Sequence, residues 1–263
     1  MEEQIVYQQY RPHNALSPYI DAYWTVTGCN SNPMPSTLLP DGCVDIILNH
    51  GPSFPAQITS PTPPAQQGQA TSPNPPAQIM RTGETWLVGT MTRYKELVRP
   101  PATLLTGIRF RPGGFSFFFD HGLLKDTADQ TVEFDKILLP TLPAGNPSTV
   151  LNQFFIDRLC IPSQPLQPFI DDIYRSKGRV TVSSLAKQRF VTIRQLERLF
   201  QLHLAISPKE FISFVRYESA VRAIRSKPAG TTLLDIACAC GYYDHAHLSN
   251  EIKKYSGSSP SAF

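Results

Sequence analysis

Residues 192–212, TIRQLERLFQLHLAISPKEFI, predict two consecutive helices. Thr192 with Gln195 three residues later forms a capping box, a pattern that typically begins a helix. The apolar residues that follow recur at intervals of three and four, which is the spacing of one buried helix face. Pro208 suits the first turn of a second helix. Apolar residues continue at helical spacing as far as Ile224, so this second helix is predicted to be long and mostly buried.

A helix–turn–helix unit is predicted on each side of the long helix. The first spans residues 181–203 and the second spans residues 232–254. Thr232 with Asp235 repeats the capping-box pattern, and Gly241 suits a left-handed cap that ends a helix. One such unit alone would favour a plain helical bundle. Two units with a joining helix favour a domain that reads DNA.

The second helix of each unit is predicted to bury an apolar face and to present a polar face that can enter a DNA groove. Arginine reads guanine edges with two hydrogen bonds, and asparagine reads adenine. The predicted DNA-contacting residues are Arg194, Gln195, Glu197 and Arg198 in the first unit, and His245, Ala246, Ser249, Asn250 and Lys253 in the second.

Charges and prolines divide the chain at the same place. Residues 169–263 carry 14 Lys or Arg and 8 Asp or Glu, a net charge of +6, whereas the remaining residues carry 10 and 13, a net charge of −3. Of the 25 prolines, 22 precede residue 169. A basic domain beside a weakly acidic one suggests a nucleic-acid partner. We therefore predict an N-terminal domain at residues 1–160, a linker at 161–168 and a basic helical domain at 169–263.

Residues 1–160 predict a β-rich domain with short helices, so the fold class is α+β with two domains. Runs such as residues 22–26 and 44–48 are rich in β-forming residues and are bounded by turn signals. A proline- and glutamine-rich insert at residues 51–82, uncharged as far as residue 80, separates two β-rich blocks. Its composition does not bury enough apolar surface to offset chain entropy, so we expect a disordered loop there.

Two arginines of the N-terminal domain are candidates for ligand binding. Arg109 and Arg111 alternate on a predicted strand and should therefore share one face. That face either lines an anion pocket, to which Asp45 would also contribute, or is the solvent side. The first alternative predicts that an acidic small molecule is the effector.

The residues between 238 and 247 invite a zinc interpretation, because cysteine and histidine are the usual zinc ligands. Cys238 and Cys240, like His245 and His247, are two residues apart on predicted helices, so the members of each pair project in different directions. We therefore predict neither a metal site nor a cofactor.

Signatures of common enzymes are missing from the sequence. It contains no H-E-x-x-H, no G-x-S-x-G and no phosphate-binding glycine loop. We therefore predict that the protein is not an enzyme. The alternative is a domain in residues 1–160 that modifies a small molecule and is fused to a DNA-binding domain.

In residues 169–263 the sequence resembles the AraC/XylS family of bacterial transcription regulators. The resemblance rests on motifs that include Leu196-Glu-Arg-Leu-Phe200, Asp235-Ile-Ala237, Ala246-His-Leu-Ser249 and the run from Lys253 to Pro260. It implies that two recognition helices enter successive major grooves of double-stranded DNA. The sequence departs from the family at Phe190, where the family usually has a small residue, often glycine.

The N-terminal part resembles a β-rich domain found on some members of that family. The similar residues are Leu39-Pro-Asp-Gly-Cys-Val-Asp45 and the run from Gly107 to Gly114. This resemblance implies a sensory or dimerising role. We therefore expect a transcription regulator whose partners are DNA, a small-molecule effector, RNA polymerase and a second copy of the chain. No apolar run is long enough for a membrane span and the N-terminus is no signal peptide, so we expect a cytoplasmic protein.

Overall fold

The fold is that of a computed structural model, which describes residues 4–29, 34–56, 58–59, 78–99, 102–143, 145–228 and 230–263. The strands in these residues are β1 (Gln4–Tyr10), β2 (Ile20–Cys29), β3 (Met34–Leu38), β4 (Val44–Asn49), β5 (Phe54–Ala56), β6 (Ile58–Thr59), β7 (Gln78–Met80), β8 (Thr85–Val88), β9 (Lys95–Arg99), β10 (Ala102–Phe110) and β11 (Thr131–Glu133). The α-helices are α1 (Ser148–Arg158), α2 (Gln167–Arg175), α3 (Val182–Gln188), α4 (Ile193–Leu204), α5 (Pro208–Arg225), α6 (Leu233–Ala239) and α7 (His245–Ser256). Short 3-10 helices lie at Phe115–Phe117, His121–Leu124, Lys136–Leu138 and Pro260–Ala262.

The strands form one large antiparallel sheet and two small ones. The large sheet has the order β1-β2-β10-β4-β8-β11, a second sheet has the order β3-β9-β6, and β5 pairs with β7. Within the large sheet, Asp45 of β4 lies between Arg109 of β10 and Val88 of β8. The neighbours of Asp45 therefore come from segments far apart in the chain.

Successive residues of the large sheet face a packed core and a cavity in turn, as the pleat of a strand requires. On β4, Val44 and Ile46 belong to the core, whereas Asp45 lines the cavity. Helix α1 covers the core side, where the ring centroids of Phe155 and Phe110 are 5.7 Å apart. The cavity lies on the other side of the sheet.

A glycine makes room for a tryptophan on the cavity side of the sheet. Gly107 of β10 pairs with Trp24 of β2. A Cβ atom at position 107 would lie 1.9 Å from the Trp24 ring. The indole therefore occupies the space that a side chain at residue 107 would fill, which is a common reason for glycine inside a strand.

One continuous core holds the helical domain together. Leu196 of α4, Phe211 of α5 and Leu248 of α7 belong to the same buried cluster, and each is 0% exposed. Because this core is close-packed, it holds α4 and α7 in a defined relative orientation. The predicted fold class is confirmed: a β-rich N-terminal domain with short helices precedes an all-α domain in which a long helix joins two helix–turn–helix units.

The predicted boundaries of linker and insert differ from the structure at their ends. Helix α2 begins at Gln167, and Leu166 is buried in the helical core, so the last residues of the predicted linker belong to the helical domain. Strands β5, β6 and β7 lie within the predicted insert. Phe54 and Met80 cluster with Trp86, and this apolar contact explains the order at the insert's ends. The central part of the predicted insert, residues 60–77, lies outside the described residues.

The turn at residues 41–43 brings the N-terminal domain into contact with α5. Asp41 holds this turn, because its Oδ1 accepts a hydrogen bond from the N–H of Cys43 at 2.9 Å. Gly42 adopts a φ of 71°, and a Cβ atom there would lie 3.0 Å from Phe214 and 3.3 Å from Phe211. Asp41 and Cys43 also line the cavity. The turn therefore touches both the cavity and the helix that joins the two helix–turn–helix units.

Candidate DNA interface and ligand cavity

The turns of the two helix–turn–helix units share one hydrogen-bond pattern. In the first unit the N–H of Val191 donates to the carbonyl of Ala186 at 3.0 Å, and in the second the N–H of Tyr242 donates to the carbonyl of Ala237 at 2.9 Å. Each bond closes a Schellman-type helix end. Ala186 and Ala237 are both buried, so the same small residue lies under each turn. The two units are therefore structural repeats.

The left-handed residue of each turn differs between the units. Gly241 adopts a φ of 80°, which confirms the predicted left-handed cap and costs glycine no strain. Phe190 occupies the equivalent place with a φ of 55°, and its side chain is 97% exposed. An aromatic residue in this conformation is strained, because its Cβ crowds the backbone.

Side-chain caps set the starts of the two candidate recognition helices. At the start of α4, the N–H of Thr192 donates to Oε1 of Gln195 at 2.8 Å, and the N–H of Gln195 donates to the hydroxyl of Thr192 at 3.2 Å. At the start of α7, Oδ1 of Asp244 accepts from the N–H of His247 at 2.7 Å. The predicted capping box at residue 192 is confirmed. It also engages the side chain of Gln195, one of the predicted DNA contacts.

Helix α4 presents two free arginines on its outer face. Arg194, Glu197 and Arg198 are exposed, whereas Leu196 and Phe200 on the opposite face are 0% exposed. Among the described residues, neither Arg194 nor Arg198 makes an ion pair within 4 Å. The two guanidinium groups lie one helical turn apart on one face. This face can offer two sets of hydrogen-bond donors to a groove.

Helix α7 presents a more mixed outer face. Leu248 and Ile252 are fully buried on its inner side. The predicted contacts on its outer side are the exposed His245, Ala246, Asn250 and Lys253 and the partly exposed Ser249. The Ser249 hydroxyl donates to the carbonyl of His245 at 2.7 Å, so it is partly engaged within the helix.

The two cysteines near the end of α6 differ in exposure. Cys238 in α6 is exposed, whereas Cys240, which caps the end of this helix, is buried, so the two side chains project to different sides. Within the part of the chain that the structure describes, no group of three or more His, Cys, Asp or Glu is arranged to hold a metal ion. Over the same residues, no helix is long and apolar enough to cross a lipid bilayer.

The N-terminal domain contains a cavity of about 530 Å³. Its lining is mostly apolar and comes from both larger sheets and the segments around them. The lining residues include Tyr7, Trp24, Val26, Leu38, Ile47, Phe54, Met80, Trp86, Met91, Leu97 and Leu105. Small-molecule sites are typically apolar cavities of this size with a few polar groups.

Arg109 and Asp45, two predicted ligand-binding residues, meet in the cavity lining. Asp45 is 9% exposed and accepts hydrogen bonds from Nε1 of Trp24 at 2.9 Å and from Nε of Arg109 at 3.2 Å. Nη1 of the same guanidinium lies 3.5 Å from Oδ2 of Asp41. Burial raises the pKa of Asp45 to about 6, and the charge of Arg109 opposes this rise. Arg109 is therefore occupied by the protein's own carboxylates.

Arg111, the third predicted ligand-binding residue, does not line the cavity. Strand β10 ends at Phe110, and the register with β2 shifts between Arg109 and Phe110. Such an irregularity breaks the alternation of faces on which the prediction depended. Arg111 instead donates to the carbonyl of Ser17 at 2.9 Å and pairs with Asp21 at 2.9 Å.

The cavity is also lined by a second cation, Lys95, which no sequence pattern indicated. Lys95 is 3% exposed, and its Nζ donates to the backbone carbonyl of Asp129 at 2.8 Å. Burial lowers the pKa of Lys95, and the nearby charge of Asp129 raises it. No local pattern marks this lysine, because its burial depends on the second sheet facing the first.

These features define the C-terminal part as a double helix–turn–helix domain, attached to a β-rich domain that encloses a cavity. Two known families match the corresponding parts of the chain. Residues 185–263 match the family model described as a helix-turn-helix domain. Residues 8–133 match a model described as a domain of unknown function.

Two curated relatives match part of the chain. The HTH-type transcriptional regulator CdhR of Pseudomonas aeruginosa is 33% identical over 82 residues, which are 31% of this chain and 24% of the relative. An uncharacterized HTH-type transcriptional regulator of Haemophilus influenzae is also 33% identical over 82 residues, 31% of this chain and 27% of the relative. The chain thus matches about a quarter of the length of these curated relatives.

A solved structure covers more of the chain at low similarity. The structure of ToxT from Vibrio cholerae O395 covers 91% of this chain and 96% of its own, with 8% identity and a TM-score of 0.46. The family match at residues 185–263 confirms that the C-terminal part is a helix–turn–helix domain, the class predicted from the sequence.

Proposed function

We propose that this protein is a sequence-specific transcription regulator that reads two successive major grooves of DNA with α4 and α7. The observation that carries the proposal is the repeated turn geometry of the two units, built on one continuous core. In a helix–turn–helix unit the second helix enters the major groove. Two such helices on one rigid body meet one face of the duplex, where successive major grooves are about 34 Å or about 10 base pairs apart.

The residues proposed to contact DNA are those on the outer faces of α4 and α7. Arg194 lies in the first turn of α4, the part of a recognition helix that typically contacts base edges. We therefore assign base reading to Arg194, and base or phosphate contact to Arg198. Glu197 lies between them and would be repelled by phosphate, so it accepts from cytosine or orients an arginine. On α7, His245, Ala246, Ser249, Asn250 and Lys253 are the proposed contacts.

Selection of bound sequences from a random DNA pool tests this function directly. We expect one enriched motif with two unlike blocks whose centres are about 10 base pairs apart, protected by a single protein chain. Enrichment of no motif would contradict sequence-specific reading. A single short block would contradict the simultaneous use of both helices.

A matched pair of arginine variants tests the assignment of α4. Arg194→Ala should lose about 1–3 kcal/mol of binding free energy on the selected site and relax specificity at one base position. Arg158→Ala removes the same charge from an exposed position in α1 of the N-terminal domain and should leave DNA binding unchanged. If Arg194→Ala keeps full affinity and specificity, α4 does not dock through its first turn.

The N-terminal domain is proposed to sense a small molecule, and its cavity supports this role. The turn at residues 41–43 contacts both the cavity and α5, so a ligand has a physical route to the DNA-binding domain. A second copy of the chain and RNA polymerase are further proposed partners, and the cytoplasm, where bacterial DNA lies, is the proposed location. Sedimentation of the chain with and without its selected DNA tests the dimer.

A further inference from the structure

We propose that the cavity of the N-terminal domain binds a small organic carboxylate with an aromatic or aliphatic body, and that Lys95 pairs with the carboxylate. The proposal deepens the sensing role described above, on which it rests, by naming the class of ligand. It also replaces Arg109, the anion-binding residue expected from the sequence, by a different cation. Three features of the cavity support it.

The first feature is the apolar wall. Trp24, Trp86 and Met80 are each at most 7% exposed, and Ile47 and Leu105 add aliphatic surface from neighbouring strands. Aromatic and aliphatic side chains stabilise a ligand body mainly by removing its apolar surface from water. The body of the ligand should therefore be a ring or a short hydrocarbon chain.

The second feature is that Arg109 is already paired with carboxylates of the protein. The guanidinium of Arg109 lies between two carboxylates, at 3.2 Å from Asp45 and 3.5 Å from Asp41. Asp45 also accepts from Trp24, and Asp41 accepts from the N–H of Cys43. Two carboxylates against one guanidinium leave this end of the cavity with no excess positive charge. An anionic ligand would be repelled here and must find its cation elsewhere.

The third feature is the ammonium group of Lys95, which has unused hydrogen-bond donors. An ammonium has three N–H donors, and the described contacts of Lys95 use one, to the carbonyl of Asp129. The carboxylate of Asp129 is engaged by Thr92, whose N–H donates to Oδ1 at 2.7 Å and whose hydroxyl donates to Oδ2. A buried cation with unused donors is costly, so an anion beside Lys95 would be stabilised strongly.

A hydroxyl in the cavity lining can supply a second contact. Thr131 lines the cavity two residues after Asp129. Its Oγ1 is buried and has no hydrogen-bond partner among the described residues. The hydroxyl can donate to the second oxygen of a carboxylate that Lys95 holds. An unsatisfied hydroxyl is also a cost that ligand binding would remove.

The test uses three ligands with one body and different head groups: 3-phenylpropionate, 3-phenylpropan-1-ol and 3-phenylpropylamine. The chain has two tryptophans, Trp24 and Trp86, and both line the cavity, so intrinsic fluorescence reports occupancy directly. Titration of the full chain without DNA gives a dissociation constant for each ligand. Because the titration contains no DNA, a lack of ligand binding would not contradict the proposed DNA reading. A failure to bind DNA would likewise not contradict the ligand titration.

We expect the carboxylate to bind at least about tenfold more tightly than the alcohol, since hydrogen bonds to charged groups are strong when buried. In Lys95→Met, which keeps an unbranched chain without the charge, this preference should disappear while alcohol binding persists. Binding of the alcohol thus shows that the cavity of the variant is intact. Arg111→Met, which removes a cation outside the cavity, should keep the preference of the wild type.

Four results would overturn the proposal. The first is that the amine binds most tightly, and the second is that the wild type binds the carboxylate and the alcohol equally. The third is that Lys95→Met keeps the preference for the carboxylate. The fourth is that none of the three ligands changes the fluorescence. The first of these would assign ligand recognition to Asp41 and Asp45 instead.

Discussion

The helical domain and the β-rich domain present their candidate functional residues in opposite ways. Arg194 and Asn250 project outwards from helices whose other faces are buried. Lys95 and Asp45 instead project into a cavity that strands from two sheets enclose. A helix surface keeps charged groups hydrated at little cost, whereas a cavity removes them from water. Burial accordingly shifts the pKa values of Asp45 and Lys95.

The domains also differ in how their residues are connected. The helical domain has one core that reaches from α2 to α7, so its two DNA-reading units should behave as one body. The β-rich domain has its own core and a separate cavity. It touches the helical domain at several places, which include a tight turn on α5 and the packing of His121 against His203. The following predictions test the unity of the helical domain, the contact at α5 and the strain in the turn of the first helix–turn–helix unit.

The largest expected effect comes from a cavity in the shared core. Leu248→Ala removes a fully buried side chain from α7 and should lower the free energy of unfolding by about 3 kcal/mol. Denaturant unfolding measures this loss. Leu234→Ala makes the same chemical change at a position of α6 that is 49% exposed, and should cost far less.

The same variant also tests whether the two units are one body. Because the core is continuous, amide exchange in α4 should accelerate in Leu248→Ala together with exchange in α7. Faster exchange confined to α7 would mean that each unit is stabilised independently.

The next effect concerns an acidic group of α5 near the domain contact. Burial raises the pKa of Glu218 from its usual value of 4.5 to about 7, with Asp41 adding to the rise and Arg222 opposing it. Burial also raises the pKa of Tyr174, and the charge of Glu218 adds to that rise. A folded-state pKa above the unfolded one means that stability is highest below the unfolded pKa and falls as the pH rises through the folded pKa.

Glu218→Gln should therefore stabilise the protein at pH 8 by about 1–2 kcal/mol and have almost no effect near pH 4. Thermal unfolding at the two pH values measures the difference. An equal effect at both would show that the folded-state pKa of Glu218 is not raised. Combination with Asp41→Asn should reduce the gain, because the two carboxylates repel each other.

A smaller effect should come from the glycine that touches α5. Gly42→Ala and Gly83→Ala both place a side chain at a positive φ, at 71° and 76°, so both pay a similar backbone penalty. Only the alanine at residue 42 would crowd Phe214, because nothing lies within 4 Å of a Cβ atom at residue 83. We expect Gly42→Ala to cost about 1 kcal/mol more than Gly83→Ala in thermal unfolding. Equal costs would show that the turn does not press on α5.

The smallest effect should come from the strained turn of the first unit. Phe190→Gly relieves a left-handed aromatic residue and should raise stability by about 0.5–1 kcal/mol. Tyr243→Gly removes an equally exposed aromatic residue from the other unit, at a position without positive φ, and should lower stability instead. Destabilisation by both substitutions would contradict the claim of strain at Phe190.

Particular residues show how far sequence reasoning reached. The capping boxes at Thr192 and Thr232 and the left-handed cap at Gly241 were predictable, because each depends on residues within five positions of one another. Asp45 and Arg109 were predicted on strands, but their ion pair depends on the register between β4 and β10. Arg111 was misassigned to the same face because a register shift is invisible in a simple alternating pattern.

By itself, the sequence determined the helical domain, its two helix–turn–helix units and the faces that they expose, since helices form from contacts between near neighbours in the chain. Only the tertiary structure decided the cavity, the neutralisation of Arg109 and the burial of Lys95. These depend on which strands lie side by side and which sheets face each other. Strand pairing joins residues that are distant in the chain, and no local pattern of side chains specifies the partner.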